Sequence, residues 1–185
     1  MKIIKYLSTG LVIGIFSFSI IEKNDFDFNY PKRKKTTITT KLEKFSKFDK
    51  EWRGTDYYYY GVSSDGLICS VLYYKLNKEE QKTYVDLFGG TTNAGLPFSY
   101  FSENSNLKKY ETNNEDWGKM TDDFMFKQND VIEYEGFKIN QKNMYAYTMF
   151  DKDLFVIVHL SKTSFTTADS TEMREILNNL KKKRD

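Results

Sequence analysis

Residues 144–161 constrain the fold more than any other stretch: MYAYTMF and LFVIVHLS are separated only by Asp151, Lys152 and Asp153. Two β-forming runs joined by so short a turn must pair antiparallel. The near-continuous apolar run LFVIV at 154–158 has no polar face, so it needs cover on both sides and belongs at the centre of a sheet.

A second hairpin is predicted upstream. DYYYYGV (56–62) and LICSVLYYKL (67–76) are rich in β-formers and flank Ser63, Ser64, Asp65 and Gly66, where Asp-Gly supplies the turn. The chain has 14 Tyr and 15 Phe but only 2 Pro, a balance suited to half-buried pleated surfaces and unlike that of disordered segments. Phe26, Phe28 and Tyr30 alternate with Asp25, Asp27 and Asn29, predicting a short strand that stops at Pro31. In residues 131–140, Gly136 shifts the alternation between Tyr134 and Phe137 and predicts a bulge or tight turn.

Two helices complete the pattern. Asn77 and Glu80 form a capping box for a helix over about 78–88, ended by Gly89 and Gly90. Asp169 with Glu172 does the same for a helix over about 170–182. There Met173, Ile176, Leu177 and Leu180 form one apolar stripe before the cationic end at 181–184. Residues 32–40 are polar and basic, and Leu42, Phe45, Asp49 and Trp52 suit a short helix or an irregular amphipathic stretch. From 91 to 130 the pattern breaks into long loops, with a possible strand at 98–101. The fold class is α+β, a mainly antiparallel sheet flanked by helices.

The N-terminus reads as an address. Lys2 and Lys5 precede an uncharged apolar run at 6–21, followed at once by Glu22, Lys23, Asn24 and Asp25. A run of 16 is shorter than the roughly 20 residues of a membrane span, so 1–21 is a signal peptide or a signal anchor. Residues 22–185 then form one extracytoplasmic domain, periplasmic or secreted, touching membrane only through 1–21 where that segment stays uncleaved. The single cysteine, Cys69, provides neither a lipid-attachment site near the apolar run nor an intrachain disulfide. Of 28 basic residues, Lys2 and Lys5 lie in the leader. The remaining 26 balance 26 acids, which argues against a nucleic-acid footprint.

Candidate chemistry is sparse. His159, the only histidine, lies on a predicted central strand and reads as a packed residue; Cys69 sits mid-strand as a small hydrophobe, so the two make a poor nucleophile and base. Gly90 and Gly95 have phosphate-loop spacing, but Leu96 and Pro97 stand where Lys and Ser or Thr are needed. Glu115, Asp116, Asp122 and Asp123 lack a calcium-loop pattern. No catalytic, cofactor or metal residues are assigned. A carboxylate-based metal protein or enzyme at 115–123 is the alternative. The basic runs 32–35 and 181–184 read as solvated chain ends, or as contacts to anionic lipid. The surface most suited to recognition is aromatic: Tyr57, Tyr58, Tyr59 and Tyr60, two to each face of a strand, with Trp117. A small-ligand or glycan binder using exposed Tyr and Trp is a further alternative.

FDFNYP at 26–31 and the succession MYAYTMF, LFVIVHLSK, the Thr/Asp-rich bend at 166–169 and EMREILNNL resemble the PsbP-like group, which includes the periplasmic DcrB-type proteins. Lys32 to Lys35 stand where that group often has a tryptophan after its opening Tyr-Pro. The resemblance implies an antiparallel sheet flanked by helices and a non-enzymatic interaction or assembly module. It implies no catalytic residues. The expected partner is another envelope protein.

Overall fold

The computed structural model describes residues 25–34, 36–81, 110–151 and 153–183. The leader 1–21, the helix beyond 81, the strand expected at 98–101, Gly90 and Gly95 lie outside the described residues. Among the described residues, ten strands and one complete helix run in the order β1 (Asp25–Asn29), β2 (Thr37–Lys41), β3 (Asp49–Arg53), β4 (Asp56–Val62), β5 (Ile68–Lys75), β6 (Tyr110–Lys119), β7 (Met125–Tyr134), β8 (Phe137–Phe150), β9 (Leu154–Thr163), α1 (Thr167–Asn178) and β10 (Lys181–Lys183). They build a three-stranded sheet, β1-β2-β10, and a seven-stranded sheet, β3-β4-β5-β9-β8-β7-β6, with every neighbouring pair antiparallel. The fold is α+β.

The β8–β9 hairpin sits where its composition requires. β9 is the middle strand, flanked by β5 and β8, with Leu154, Phe155, Val156, Val158 and Leu160 all buried. One face of the large sheet packs Cys69, Val71, Tyr73, Ala146, Val156 and Val158 against Phe28 and Ile38 of the small sheet. Met173, Ile176 and Leu177 of α1, with Leu180 just beyond its end, join the same core. Burial of that stripe, at about 25 cal/mol per Å2 of apolar surface, is what holds a helix whose intrinsic propensity is modest. The opposite face centres on Leu76, Tyr147, Met149 and Phe155.

Turn chemistry follows the sequence. Gly66 takes φ +86 in the β4–β5 turn, and the expected bulge or tight turn at Gly136 is a tight turn, Glu135 at φ 48 and Gly136 at φ 82 joining Tyr134 to Phe137. Both positive φ values fit the two-residue hairpin whose twist matches the strands. The Asn77 side chain accepts from the amides of Glu79 and Glu80, and Glu80 accepts from the Asn77 amide, so the first predicted capping box forms at a helical start over residues 78–81.

Four expectations are corrected. Residues 49–53, expected to end a short helix or irregular amphipathic stretch from Leu42, form strand β3, and 37–41, read only as polar and basic, form β2: TITTK is dominated by β-branched threonines, which suit a pleated surface. Part of the expected loop region forms β6 and β7, with register shifts on β6 between Glu111 and Thr112 and between Asn113 and Asp116. The N-cap of α1 is Thr166, three residues before Asp169. Asp169 instead occupies the third helical position and completes the capping box by accepting from the Thr166 amide. Finally, α1 stops at Asn178, and 181–183 form β10 beside β2 rather than a helical end.

Candidate interaction surface

β4 carries the four consecutive tyrosines, and strand alternation sends them to opposite faces. Tyr57 and Tyr59 turn inward and are buried, which removes them from the expected recognition surface. Their burial requires partners for the phenols. Tyr59 OH donates to Asn29 O at 2.7 Å and accepts from Asn29 N at 3.0 Å. Tyr73, the neighbour of Tyr57 on β5, likewise donates to Phe28 O and accepts from Ile38 N at 3.2 Å. These hydroxyls fasten the large sheet to the backbone of the small one.

Tyr58 and Tyr60 turn outward, their rings 6.3 Å apart and 24° from parallel. Tyr60 is 36% exposed. With Asp49, Lys50, Glu51 and Arg53 of β3 they line an open groove of about 480 Å3. Arg53 lies over the Tyr58 ring at 4.6 Å and donates to Glu51 at 3.0 and 3.2 Å, which fixes its guanidinium beside the groove. On the other face of β3, Trp52 packs against Tyr57 at 4.5 Å with Lys32 above its ring at 4.5 Å, yet remains 42% exposed. Trp52 and the β3 charges went unassigned in the sequence because Trp52 fits a helical spacing with Leu42, Phe45 and Asp49. The usable signal was Lys-Glu-Trp-Arg alternation just before the Gly54 turn. Trp117 is placed only by its backbone, in β6 opposite Lys127.

The structure keeps the candidate catalytic residues apart. Cys69 pairs across β5 and β9 with Leu160, whereas His159 pairs with Ser70, so thiol and imidazole point to opposite faces of the sheet. Burial pushes the Cys69 thiol far above its ordinary range. His159 stacks on Tyr145 at 4.3 Å, and its Nε2 lies 3.0 Å from Asn143 Oδ1; its depth in the fold lowers its pKa to about 4.

The carboxylates of 115–123 do not converge. Glu115 pairs with Lys127, Asp122 with Lys119 at 2.6 Å, and Asp116 lies 3.5 Å from Gln128. Among the described residues the acidic groups that do meet are Asp65, Asp169 and Glu172. Each already has a lysine partner: Lys44 reaches Asp65 at 2.8 Å and Glu172 at 2.5 Å, and Lys162 reaches Asp169 at 2.7 Å and Asp65 at 3.3 Å. Lys162 with the Thr166 cap brings the Asp169 pKa down to about 2, and Lys44 with Ser63 holds Asp65 lower still. This is a brace between the β4–β5 turn and the start of α1.

The basic runs are solvated in part: Lys32, Lys34, Lys181 and Lys183 are exposed, while several of their cations have partners. Arg33 makes two 2.8 Å bonds to Asp153 and one of 2.9 Å to Asp151; Lys182 donates to Met149 O and lies over Phe150, and Lys183 pairs with Asp27 at 2.9 Å.

No protein-family model matches the chain, and no curated protein matches it. Among solved structures, the Ran-binding protein Mog1p of Saccharomyces cerevisiae aligns with 86% of this chain and 96% of its own, at 10% identity and a TM-score of 0.43.

Proposed function

We propose that this chain is an exported, non-enzymatic interaction or assembly module of PsbP-like type, which binds another protein of the cell envelope through its β3–β4 corner. The observation that carries the reading is the open groove in which Tyr58 and the exposed Tyr60 meet the charged side chains of β3, with exposed Val62 next along the same face of β4 and exposed Trp52 on the opposite face of the corner. Exposed aromatics flanked by charge are a common composition for recognition surfaces. The separation of Cys69 from His159, and the scattering of the carboxylates at 115–123, support binding over catalysis.

Affinity capture from an envelope fraction tests this. The wild-type chain is expected to recover a protein that the Tyr60→Ala and Tyr58→Ala variants lose, while both variants keep the wild-type melting profile. Recovery of nothing above background, or recovery indifferent to both substitutions, overturns it. The rival small-ligand or glycan reading draws on the same pair of rings. It predicts quenching of tyrosine or tryptophan fluorescence by an oligosaccharide panel, abolished by Tyr60→Ala.

A further inference from the structure

We propose that the outer edge of β3 joins two copies of this chain, antiparallel about a two-fold axis at Trp52, so that their seven-stranded sheets run on edge to edge. The proposal rests on the β3–β4 corner being an interaction surface, and it uses the strand edge together with Glu51 and Arg53, which also line the groove.

β3 is the last strand of the large sheet, and all five of its residues, Asp49, Lys50, Glu51, Trp52 and Arg53, are exposed. Among the described residues its pairing is to β4 alone. A free edge offers a row of unpaired amides and carbonyls, and proteins usually guard such edges with charge. Here the guard has a pattern, two acids and two bases around a tryptophan. In a two-fold antiparallel pairing each face of one sheet continues into the same face of the other, so a residue lies opposite itself at the axis and its neighbours pair symmetrically.

Three registers centre on the strand interior. About Lys50, Asp49 meets Glu51 of the second copy, a like-charge pair. About Glu51, that carboxylate meets itself. About Trp52, Glu51 meets Arg53 of the second copy twice, the indoles meet across the axis, and Lys50 lies opposite Gly54. Of the three, the Trp52 register alone places no like charges opposite one another. Its cations are already in place, because Arg53 is held by Glu51 and the Tyr58 ring on the face where the second copy's Glu51 arrives. A contact of five residues a side is small, so the dimer is weak and concentration-dependent.

Sedimentation equilibrium of the full-length chain in density-matched detergent provides the test. The wild type is expected to show a monomer–dimer equilibrium. Glu51→Arg and Arg53→Glu should each weaken it about tenfold by turning both cross-pairs repulsive. An equimolar mixture of the two variants should recover association to within about threefold of wild type, because each chain presents the sign the other lacks. Trp52→Cys should cross-link to itself under mild oxidant at least about fivefold faster than Glu51→Cys, with buried Cys69 silent in both. A wild type that stays monomeric, a mixture no better than either variant alone, or faster cross-linking at 51 than at 52 overturns the proposal. Envelope capture by the wild type that persists while self-association fails refutes the dimer alone; loss of capture with self-association intact refutes the functional reading alone.

Discussion

Tyr73→Phe removes one oxygen from the core and leaves the ring in place. The Tyr73 hydroxyl, fully buried, bridges Phe28 O and Ile38 N across the interface between the two sheets. Losing two bonds worth about 1 kcal/mol each, with the Ile38 amide left without this acceptor in a dry site, gives an expected cost of about 2–4 kcal/mol. For a chain of this size each kcal/mol lowers the melting temperature by roughly 2–4 °C, so a drop of about 5–15 °C follows. Urea titration followed by tryptophan emission measures the cost. Hydrogen exchange should show amides of β1 and β2 losing protection more than those of β8 and β9. Tyr60→Phe, altering an exposed hydroxyl, is the control and should stay within about 0.5 kcal/mol of wild type. If Tyr73→Phe matches that control, the phenols do not fasten the sheets and the account of the interface is wrong.

Gly61→Ala should destabilise by about 1–3 kcal/mol in the same titration, because an added Cβ would sit 2.7 Å from the Phe48 ring and 2.9 Å from the carbonyl oxygen of Lys47. Glu135→Asn should stabilise by about 0.5–1 kcal/mol, since Glu135 holds a left-handed φ of 48 in a turn that Asn adopts more readily. The pH profile of stability should fall in two windows. His159 stays neutral in the fold down to about 4, while its unfolded form takes a proton from about 6.5, so stability drops as pH falls from 6.5 to 4; His159→Gln should flatten that segment. Asp153 and Asp169, held near 2 by Arg33 and Lys162 against an ordinary 3.8, contribute stability that is intact above 3.8 and lost as pH falls towards 2; Lys162→Met should shallow that limb.

The strands legible in the sequence were those whose side chains announce burial. LFVIV could only be central, and alternation in DYYYYGV placed its tyrosines correctly, although only the outward pair, Tyr58 and Tyr60, remains available to a partner. The strands missed were short, charged or threonine-rich: DKEWR, KKK and TITTK. Edge strands carry charge as protection against mispairing, which erases the hydrophobic signal by which strands are recognised. β2 was hidden differently, because its buried threonines count as polar in any hydropathy pattern yet fit a pleated interior. The shifted cap of α1 has a local cause. Thr166 and Asp169 are both good capping residues, and the reciprocal box, in which the Asp169 amide donates to the Thr166 side chain and the Asp169 carboxylate accepts from the Thr166 amide, starts the helix at the earlier one. The same blindness hid half of the interaction surface, since the groove needs β3 as its second wall.

β2 lies between β1, made early, and β10, built from residues 181–183. A growing chain on the ribosome therefore cannot close its small sheet until residues 181–183 have been made, and Ile38 waits about 140 residues for Lys182. A polypeptide so arranged keeps β2 uncovered on one side until that late segment arrives, and removing Lys181–Lys183 would strip one rim from a sheet begun at β1.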